Sequence, residues 1–332
     1  MILVSIICPC YNEERFIESC VQSILHQDLP ESQWELLIVD GMSTDKTRTL
    51  LQPLIGKYAN IHLLDNPHRT APYAMNIGIR AAQGEYICRI DAHSLFPANY
   101  VSTLLHYIQA LPDAVNVGSA CDTRPANDSL KAKAIAIACS HPLGVGNSTF
   151  RTATIEQPIS TDTVPFGFWH KELFDKVGLF DEEMTRNQDD EFNARTLQHG
   201  GKIYLVPGIS ITYYVRDSIT KTCKMFYQYG LFKPLGNKKI KHPATIRQFV
   251  PVAFVLGLVI GLPLAIINTV FCWIYLSCIT LYLLLLCIVS IKYKNPYLPI
   301  VFNGMHISYG TGYLRGIFKL LLHRPFNVNN NR

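Results

Sequence analysis

The hexapeptide Cys88-Arg89-Ile90-Asp91-Ala92-His93 closes an apolar stretch with a carboxylate and an imidazole two residues apart. At the end of a strand, that spacing puts both side chains on one side of the pleat. There they can share a divalent cation. Such a cation can neutralise a diphosphate, which suits chemistry on a nucleotide-activated substrate. Two other acidic clusters flank this one in the chain, Asp40-Gly41-Met42-Ser43-Thr44-Asp45 and Gln188-Asp189-Asp190-Glu191.

These groups need a frame to hold them. Leu3 to Cys8, Trp34 to Val39, Ile61 to Leu64 and Tyr86 to Ile90 are short, nearly continuous apolar runs, the pattern of strands in a buried parallel sheet. Helical patterns alternate with them: one from Ile17, one from Asp45 through Leu54 with Thr44 as its cap, and one from Ala71 to Ala82. This rhythm predicts an α/β fold with a doubly wound sheet. The polar clusters follow the carboxyl ends of the first, second and fourth strands, the edge where open α/β sheets bind ligands. Further on, the pattern predicts a helix over Tyr100 to Ala110 and a strand near Ala114 to Ser119. Asp122 to Asp162, rich in Ala, Ser, Thr and Gly, is expected to be a mobile loop over the site. A helix over Glu191 to His199 and two extended pieces, Ile203 to Val206 and Ile209 to Val215, complete the domain.

The 332 residues are 48% apolar and only 17% charged, and the deficit of charge is local. Val250 to Ile291 contains no Asp, Glu, Lys, Arg or His in 42 residues. That is room for two spans of ~20 residues each. The net charge of +5 is local too: Arg216, Lys221, Lys224, Lys233, Lys238, Lys239, Lys241 and Arg247 precede the apolar run, and Lys292 and Lys294 follow it. Basic flanks on both sides predict a hairpin with both ends cytoplasmic. They also suit anionic headgroups, so lipid rather than nucleic acid is the expected partner. Pro296 to Leu322 is apolar and aromatic but broken by glycines, and its basic end favours a helix in the membrane interface over a third span. The ten cysteines are scattered and are expected to be reduced thiols that pack as small hydrophobes. Met1 to Cys8 lacks the basic start and cleavage site of a signal peptide and is read as a buried strand.

In order along the chain stand Pro9-Cys10-Tyr11-Asn12-Glu13, the Asp40 to Thr47 segment, Ala74-Met75-Asn76-Ile77-Gly78, Asp91-Ala92-His93, and Gln188 to Phe192 with Arg195 one turn on. In this order and spacing the chain resembles glycosyltransferase family 2, the inverting nucleotide-sugar enzymes of the GT-A fold. Within it, Asp-Ala-His in place of Asp-X-Asp, together with Tyr227 to Lys233, resembles the membrane-attached enzymes of succinoglycan-type exopolysaccharide synthesis. The resemblance implies a GT-A catalytic domain over residues 1–230 and a basic juxtamembrane segment over 231–249. A transmembrane hairpin follows over 250–291, then a third membrane or interfacial helix over 296–322.

The resemblance also implies roles for single residues. Pro9, Tyr11, Glu13, Asp40, Asn76 and Asp91 would bind the nucleotide sugar, with Asp40 accepting from a uracil N3–H and Tyr11 lying against the base. Read alone, Asp40 also suits a turn or a helix cap, and Asn76 a helix surface. Asp91 and His93 would hold Mn²⁺ or Mg²⁺ on the donor's diphosphate, with His93 either a ligand or a contact to phosphate or acceptor. Asp189 would be the base that deprotonates the acceptor, with Asp190 the alternative because the doubled Asp leaves the register ambiguous. On their own, these acids are also what a solvated helix N-terminus carries. Trp169 would stack on the acceptor or pack in the core. Arg216, Gln228 and Lys233 would close over the diphosphate, meet a lipid-linked acceptor, or lie in an interfacial helix. The expected activity is transfer from a UDP-sugar to a polyprenyl-linked saccharide on the cytoplasmic face of the inner or plasma membrane. The alternatives are a processive polysaccharide synthase, against which the absence of Gln-X-X-Arg-Trp weighs, and a non-catalytic nucleotide- or lipid-binding scaffold.

Overall fold

The computed structural model describes residues 1–146, 148–243 and 245–326. Its strands are β1 (Val4–Cys10), β2 (Trp34–Asp40), β3 (Ile61–Asp65), β4 (Tyr86–Arg89), β5 (Ser94–Leu95), β6 (Ala114–Arg124), β7 (Ile159–Thr161), β8 (Phe168–His170) and β9 (Lys202–Tyr214). Its α-helices begin with α1 (Ile17–Leu25), α2 (Thr47–Lys57), α3 (Ala71–Ala81), α4 (Tyr100–Ala110) and α5 (Leu130–Ser140). The short helices α6 (Pro142–Val145), α7 (Thr149–Thr152) and α8 (Leu173–Val177) follow, then α9 (Gln188–Gln198) and α10 (Ile219–Ile240). Last come α11 (Val250–Ile267), α12 (Thr269–Lys292) and α13 (Leu298–Leu321). The chain forms two compact units, residues 1–122 with 149–213, and residues 123–148 with 214–326.

The first unit is built on a mixed sheet whose strand order among the described residues is β3-β2-β1-β4-β8-β6-β9-β5, with β7 beside β9. β1 pairs in parallel with β2 on one side and β4 on the other, and β8 runs antiparallel to β4. Every residue of β1 and β2 is buried, as both-face-covered parallel strands require. The pleat sorts them. Ile6, Cys8, Leu36 and Ile38 pack with apolar faces of α1, α2 and α4, while Ile7, Leu37 and Val39 pack with α3, α8 and α9. Each fully buried aliphatic side chain contributes about 1.5–3 kcal/mol, so the two layers clamp β1 firmly. The chain order reverses beside β1, and the crevice at the carboxyl ends of β1, β2 and β4 is the topological switch point of the sheet.

Several expectations change. Residues 122–162 are not one loop: they carry α5, capped by Ser129 Oγ accepting from Ala132 N at 3.2 Å, with Ala132, Ala134, Ala136 and Ala138 buried. Small buried alanines give no apolar periodicity to read, which is why the sequence pattern misses this helix. α2 starts at Thr47 with Lys46, not Thr44, at its N-cap, and Asp45 Oδ1 accepts from Thr47 N at 2.9 Å. α9 begins at Gln188, so Asp189 and Asp190 stand in its first turn. The two extended pieces after Gly201 are one strand, β9, running through Pro207 and Gly208, where Gly208 takes φ +82°.

In the second unit α10 and α13 lie backbone to backbone. A Cβ on Gly230 would stand 2.0 Å from the Tyr309 carbonyl oxygen, one on Gly312 2.2 Å from that of Tyr227, and one on Gly316 2.4 Å from that of Leu231. The glycines that interrupt the last apolar segment are therefore its packing face, the small-residue contact common between apolar helices. α11 and α12 meet at Asn268, whose Oδ1 caps α12 by accepting from Val270 N and Phe271 N. Their side chains are largely exposed and apolar, and Ile246–Ile267 and Thr269–Lys292 are each long and apolar enough to cross a membrane. At 22 and 24 residues they measure about 33 and 36 Å, against a hydrocarbon core of ~30 Å.

Gly312→Ala therefore has an expected sign opposite to that of Gly257→Ala. Nothing lies within 4 Å of a Cβ at Gly257, so alanine there is neutral or stabilising by up to ~1 kcal/mol. At Gly312 the methyl displaces a backbone, an overpacking cost of about 1–3 kcal/mol. Thermal unfolding of the two variants in detergent checks this, and equal melting temperatures would refute the close helix contact.

Candidate active site

The loops after β1 and β2 are laced into one wall. Asn12, at φ 55°, accepts at Oδ1 from Thr44 N (2.8 Å), and its own N–H donates to Ser43 Oγ (2.8 Å). Glu13 N donates to Thr47 Oγ1 (2.8 Å), and Lys46 N to Glu14 Oε2 (3.1 Å). Asn tolerates the left-handed conformation better than most residues, so Asn12 can turn the chain and still bridge the loops. Asp40 is fully buried beneath this wall. Its carboxylate accepts from Ser43 N (3.0 Å), Ser43 Oγ and Cys10 Sγ (3.6 Å), and Arg48 Nε lies 3.6 Å away. Asp40 thus holds the turn that follows β2. Pro9 is buried in β1. Tyr11 is partly exposed at the rim, against Gly41, with the Arg69 guanidinium 5.9 Å from its ring centre.

At the end of β4 the acidic groups meet. Arg89 N donates to Gly167 O (3.0 Å) and Ile90 N to Ile7 O (2.9 Å), which anchors the strand end on both sides. The buried Arg89 side chain then bridges two carboxylates: Nη2 donates to Asp91 Oδ1 at 3.1 Å and Nη1 to Asp189 Oδ1. The Asp91 and Asp189 side chains are 19% and 32% exposed, against 5% for Arg89. Desolvation and the neighbouring Asp91 and Asp190 push the Asp189 carboxyl up to about 6, against the opposing pull of Arg89. Burial disfavours charge on Arg89, but the two carboxylates outweigh it and hold its pKa above the usual value. Of the doubled Asp, it is Asp189 that shares the guanidinium with Asp91. Sequence reasoning missed Arg89, and the signal was its place at the strand end, two residues before Asp91.

His93 departs from the expected arrangement. β4 stops at Arg89, and a turn closed by Ser94 N on Asp91 O (3.1 Å), not strand alternation, directs the side chains beyond it. His93 is buried, with Nδ1 3.5 Å from Glu13 Oε1 and its ring against Tyr213. Glu13 is therefore held with His93 below the wall. Among the described residues no three His, Cys, Asp or Glu gather as a metal cage. The donors present instead fit a Mg²⁺- or Mn²⁺-type site completed by substrate. Such ions take one or two carboxylates together with phosphate oxygens and water, and Asp91 supplies a hard, partly exposed carboxylate.

The remaining candidates sort by burial. Asn76 is buried and clamps the loop before α9: Nδ2 donates to Phe180 O and Glu182 Oε1 (both 2.9 Å), and Oδ1 accepts from Phe180 N (3.0 Å). Trp169 is core, edge-on to Phe174, Phe180 and Phe192, so its ring faces are not offered to a sugar. Arg195 is a brace, with Nε and Nη2 on Glu191 and the terminal nitrogens on the carbonyls of Val177 and Leu179. A buried chain from Phe168 N to Asn116, Asn193 and Thr163 fixes α9, and hence Asp189, to the sheet. Arg216, Gln228 and Lys233 belong to the second unit, where Gln228 is buried within α10.

Residues 5–178 match the family profile described as glycosyl transferase family 2, slightly over half of the chain. The chain belongs to this family. It is a glycosyltransferase. Two curated relatives align almost end to end. One is the dolichyl N-acetyl-alpha-D-glucosaminyl phosphate 3-beta-D-2,3-diacetamido-2,3-dideoxy-beta-D-glucuronosyltransferase of Methanococcus voltae, 30% identical over 96% of this chain and 98% of that protein. The other is the succinoglycan biosynthesis protein ExoA of Rhizobium meliloti, 29% identical over 93% of each. Among solved structures, the mannosyltransferase PcManGT from Pyrobaculum calidifontis, in complex with GDP-Man and Mn2+, superposes with a TM-score of 0.61 at 18% identity, covering 95% of this chain and 87% of that one. S. aureus TarS 1-349 in complex with UDP-GlcNAc gives 0.55 at 12% identity over 99% and 94%. At these identities the likeness is one of fold, and the family 2 glycosyltransferase has the GT-A architecture that its sequence pattern implied.

Asn76→Ala separates a clamp from a donor contact. Its removal strands the buried Phe180 N–H and C=O, a cost of about 1–3 kcal/mol per orphaned group. The expected result is a melting temperature lowered by several degrees. A raised KM for donor at unchanged melting temperature would instead mark Asn76 as a substrate contact.

Proposed function

We propose that this glycosyltransferase moves a sugar, with inversion, from a UDP-sugar to a polyprenyl-linked saccharide at the cytoplasmic face of the membrane. The observation that carries the reading is the Arg89-bridged pair of Asp91 and Asp189 at the switch point of the sheet. One partly exposed carboxylate, from the turn after β4, is available to a donor diphosphate, and a second, from the first turn of α9, shares its guanidinium.

Asp189 accepts the proton of the acceptor hydroxyl as that oxygen bonds to the anomeric carbon. The bond from this carbon to the diphosphate oxygen breaks, and the nucleoside diphosphate leaves with the electron pair. Asp91 would hold a divalent cation, which when bound would supply Lewis-acid stabilisation of that leaving group. Tyr11 and the wall from Asn12 to Thr47, with Asp40 bonded beneath it, receive the nucleoside. The Methanococcus relative is named for a dolichyl-linked acceptor, which favours a lipid-borne saccharide, and the Rhizobium relative for succinoglycan biosynthesis, which favours a polysaccharide product. α11 and α12 as membrane spans, with basic residues before and after them, would confine the enzyme to the surface that carries such an acceptor.

A panel of UDP- and GDP-sugars, with Mn²⁺ or EDTA and a lipid-linked acceptor extract, tests the reading. Turnover is expected with a UDP-sugar and is expected to vanish in EDTA. Absence of hydrolysis or transfer with every UDP-sugar overturns the donor assignment, and long homopolymer products would overturn single-sugar transfer. Asp189→Asn is expected to lower kcat by about 10²–10⁴-fold, the usual contribution of a general base, and Asp190→Asn far less. Because Asp189 works deprotonated and its pKa is raised to about 6, kcat/KM should fall as pH drops through 6 and level off above it. An acid limb near pH 4 would refute the assignment.

A further inference from the structure

We infer that Arg89 is the resident counter-ion of the donor-free site and a positioning residue for the base: it holds Asp91 and Asp189 together until the donor arrives, then releases Asp91 and keeps Asp189. This rests on the reading of Asp91 and Asp189 given above.

The guanidinium lies deeper than either carboxylate, so a ligand entering from solvent meets the carboxylates first and the cation behind them. Two partly buried carboxylates that share one guanidinium repel unless a positive charge lies between them, and Arg89 is that charge before any metal is present. Its backbone has no freedom to withdraw, because β4 is paired with β1 and β8 and Arg89 N is bonded to Gly167 O. Only the side chain can change partners.

Two observations separate Arg89 from a merely structural arginine. Its Nε–H is buried with no hydrogen-bond partner among the described residues. Arg195, seven residues past Gln188 in the same unit, has its Nε and both terminal nitrogens bonded. A buried donor left unsatisfied in an otherwise closed network calls for a functional account. In addition, the Phe166 ring lies 5.9 Å from the guanidinium, on a residue held at φ +66°. A bulky residue in that conformation is strained, and strain of this kind clusters at functional sites. The aromatic face offers the cation a partner that costs neither carboxylate. When Asp91 takes up a divalent cation, like-charge repulsion drives the guanidinium away from Asp91 and toward Asp189.

The test compares wild type, Arg89→Met and Arg89→Lys as full-length protein in detergent. Mn²⁺ binding is read by electron paramagnetic resonance with and without UDP, beside kcat and the melting temperature. Loss of the competing charge in Arg89→Met is expected to tighten Mn²⁺ binding on the order of tenfold while kcat falls about 10²-fold through misplacement of the base. A damaged site would weaken both. Arg89→Lys keeps the charge but not the fork that spans two carboxylates, so it should recover part of kcat and bind Mn²⁺ between the other two. If Arg89→Met does not fold, Arg89→Lys decides: unchanged Mn²⁺ affinity and unchanged kcat overturn the inference. Folded Arg89→Met with equal or weaker Mn²⁺ binding overturns it as well. Wild type that binds no Mn²⁺ even with UDP overturns the cation reading of Asp91, and the release of Asp91 with it.

Discussion

The parallel pairing of β1 with β2 on one side and β4 on the other is the constraint from which the rest of the site follows. It sets Cys10 opposite Asp40 and Ile7 opposite Arg89, so three strand ends reach one edge in fixed register. Both faces of these strands are buried, and a one-residue slip would exchange the apolar residues between two well-packed layers. The loops that leave that edge are therefore anchored at known heights. Asn12, Ser43 and Thr47 need only short hydrogen bonds to join them into a wall.

On this frame the electrostatics are compact. Asp189 comes from the first turn of a helix, where the positive end of the dipole favours an acid. Asp91 comes from a turn after a strand. Neither element would hold the other's charge nearby without Arg89 between them. Glu191, which shares the acidic run with Asp189, is turned away into a saturated pair with Arg195. One acidic cluster in the sequence thus divides into the carboxylate proposed as the base and a brace within a single helical turn.

The second unit follows a different logic. Its helices α10 and α13 are joined by the absence of side chains, with Gly230, Gly312 and Gly316 letting carbonyls approach to distances that a methyl group would block. α11 and α12 bury little of their apolar surface against the protein, whereas α13 buries much of its own against α10. Glycine therefore ends an apolar run in sequence terms and starts a helix contact in structural terms.

By itself the sequence determined the family, the strand–helix order of the first 110 residues and the apolar run after residue 249, because continuous burial and long apolar stretches leave unmistakable periods. It also singled out Asp91 by its place at a strand end, and the acidic run at Asp189 through the family resemblance. It did not reveal α5, whose buried alanines carry no periodic signal, nor the strand passing through Pro207 and Gly208. Only the tertiary structure shows the partners of the side chains whose readings remained open. Asp40 holds Ser43, Asn76 clamps Phe180 and Glu182, and Trp169 packs in the core. Arg89 stood in plain view beside Asp91, but its partnership with Asp189 spans 100 residues. An ion pair of that separation is made by the fold and leaves no local pattern to read.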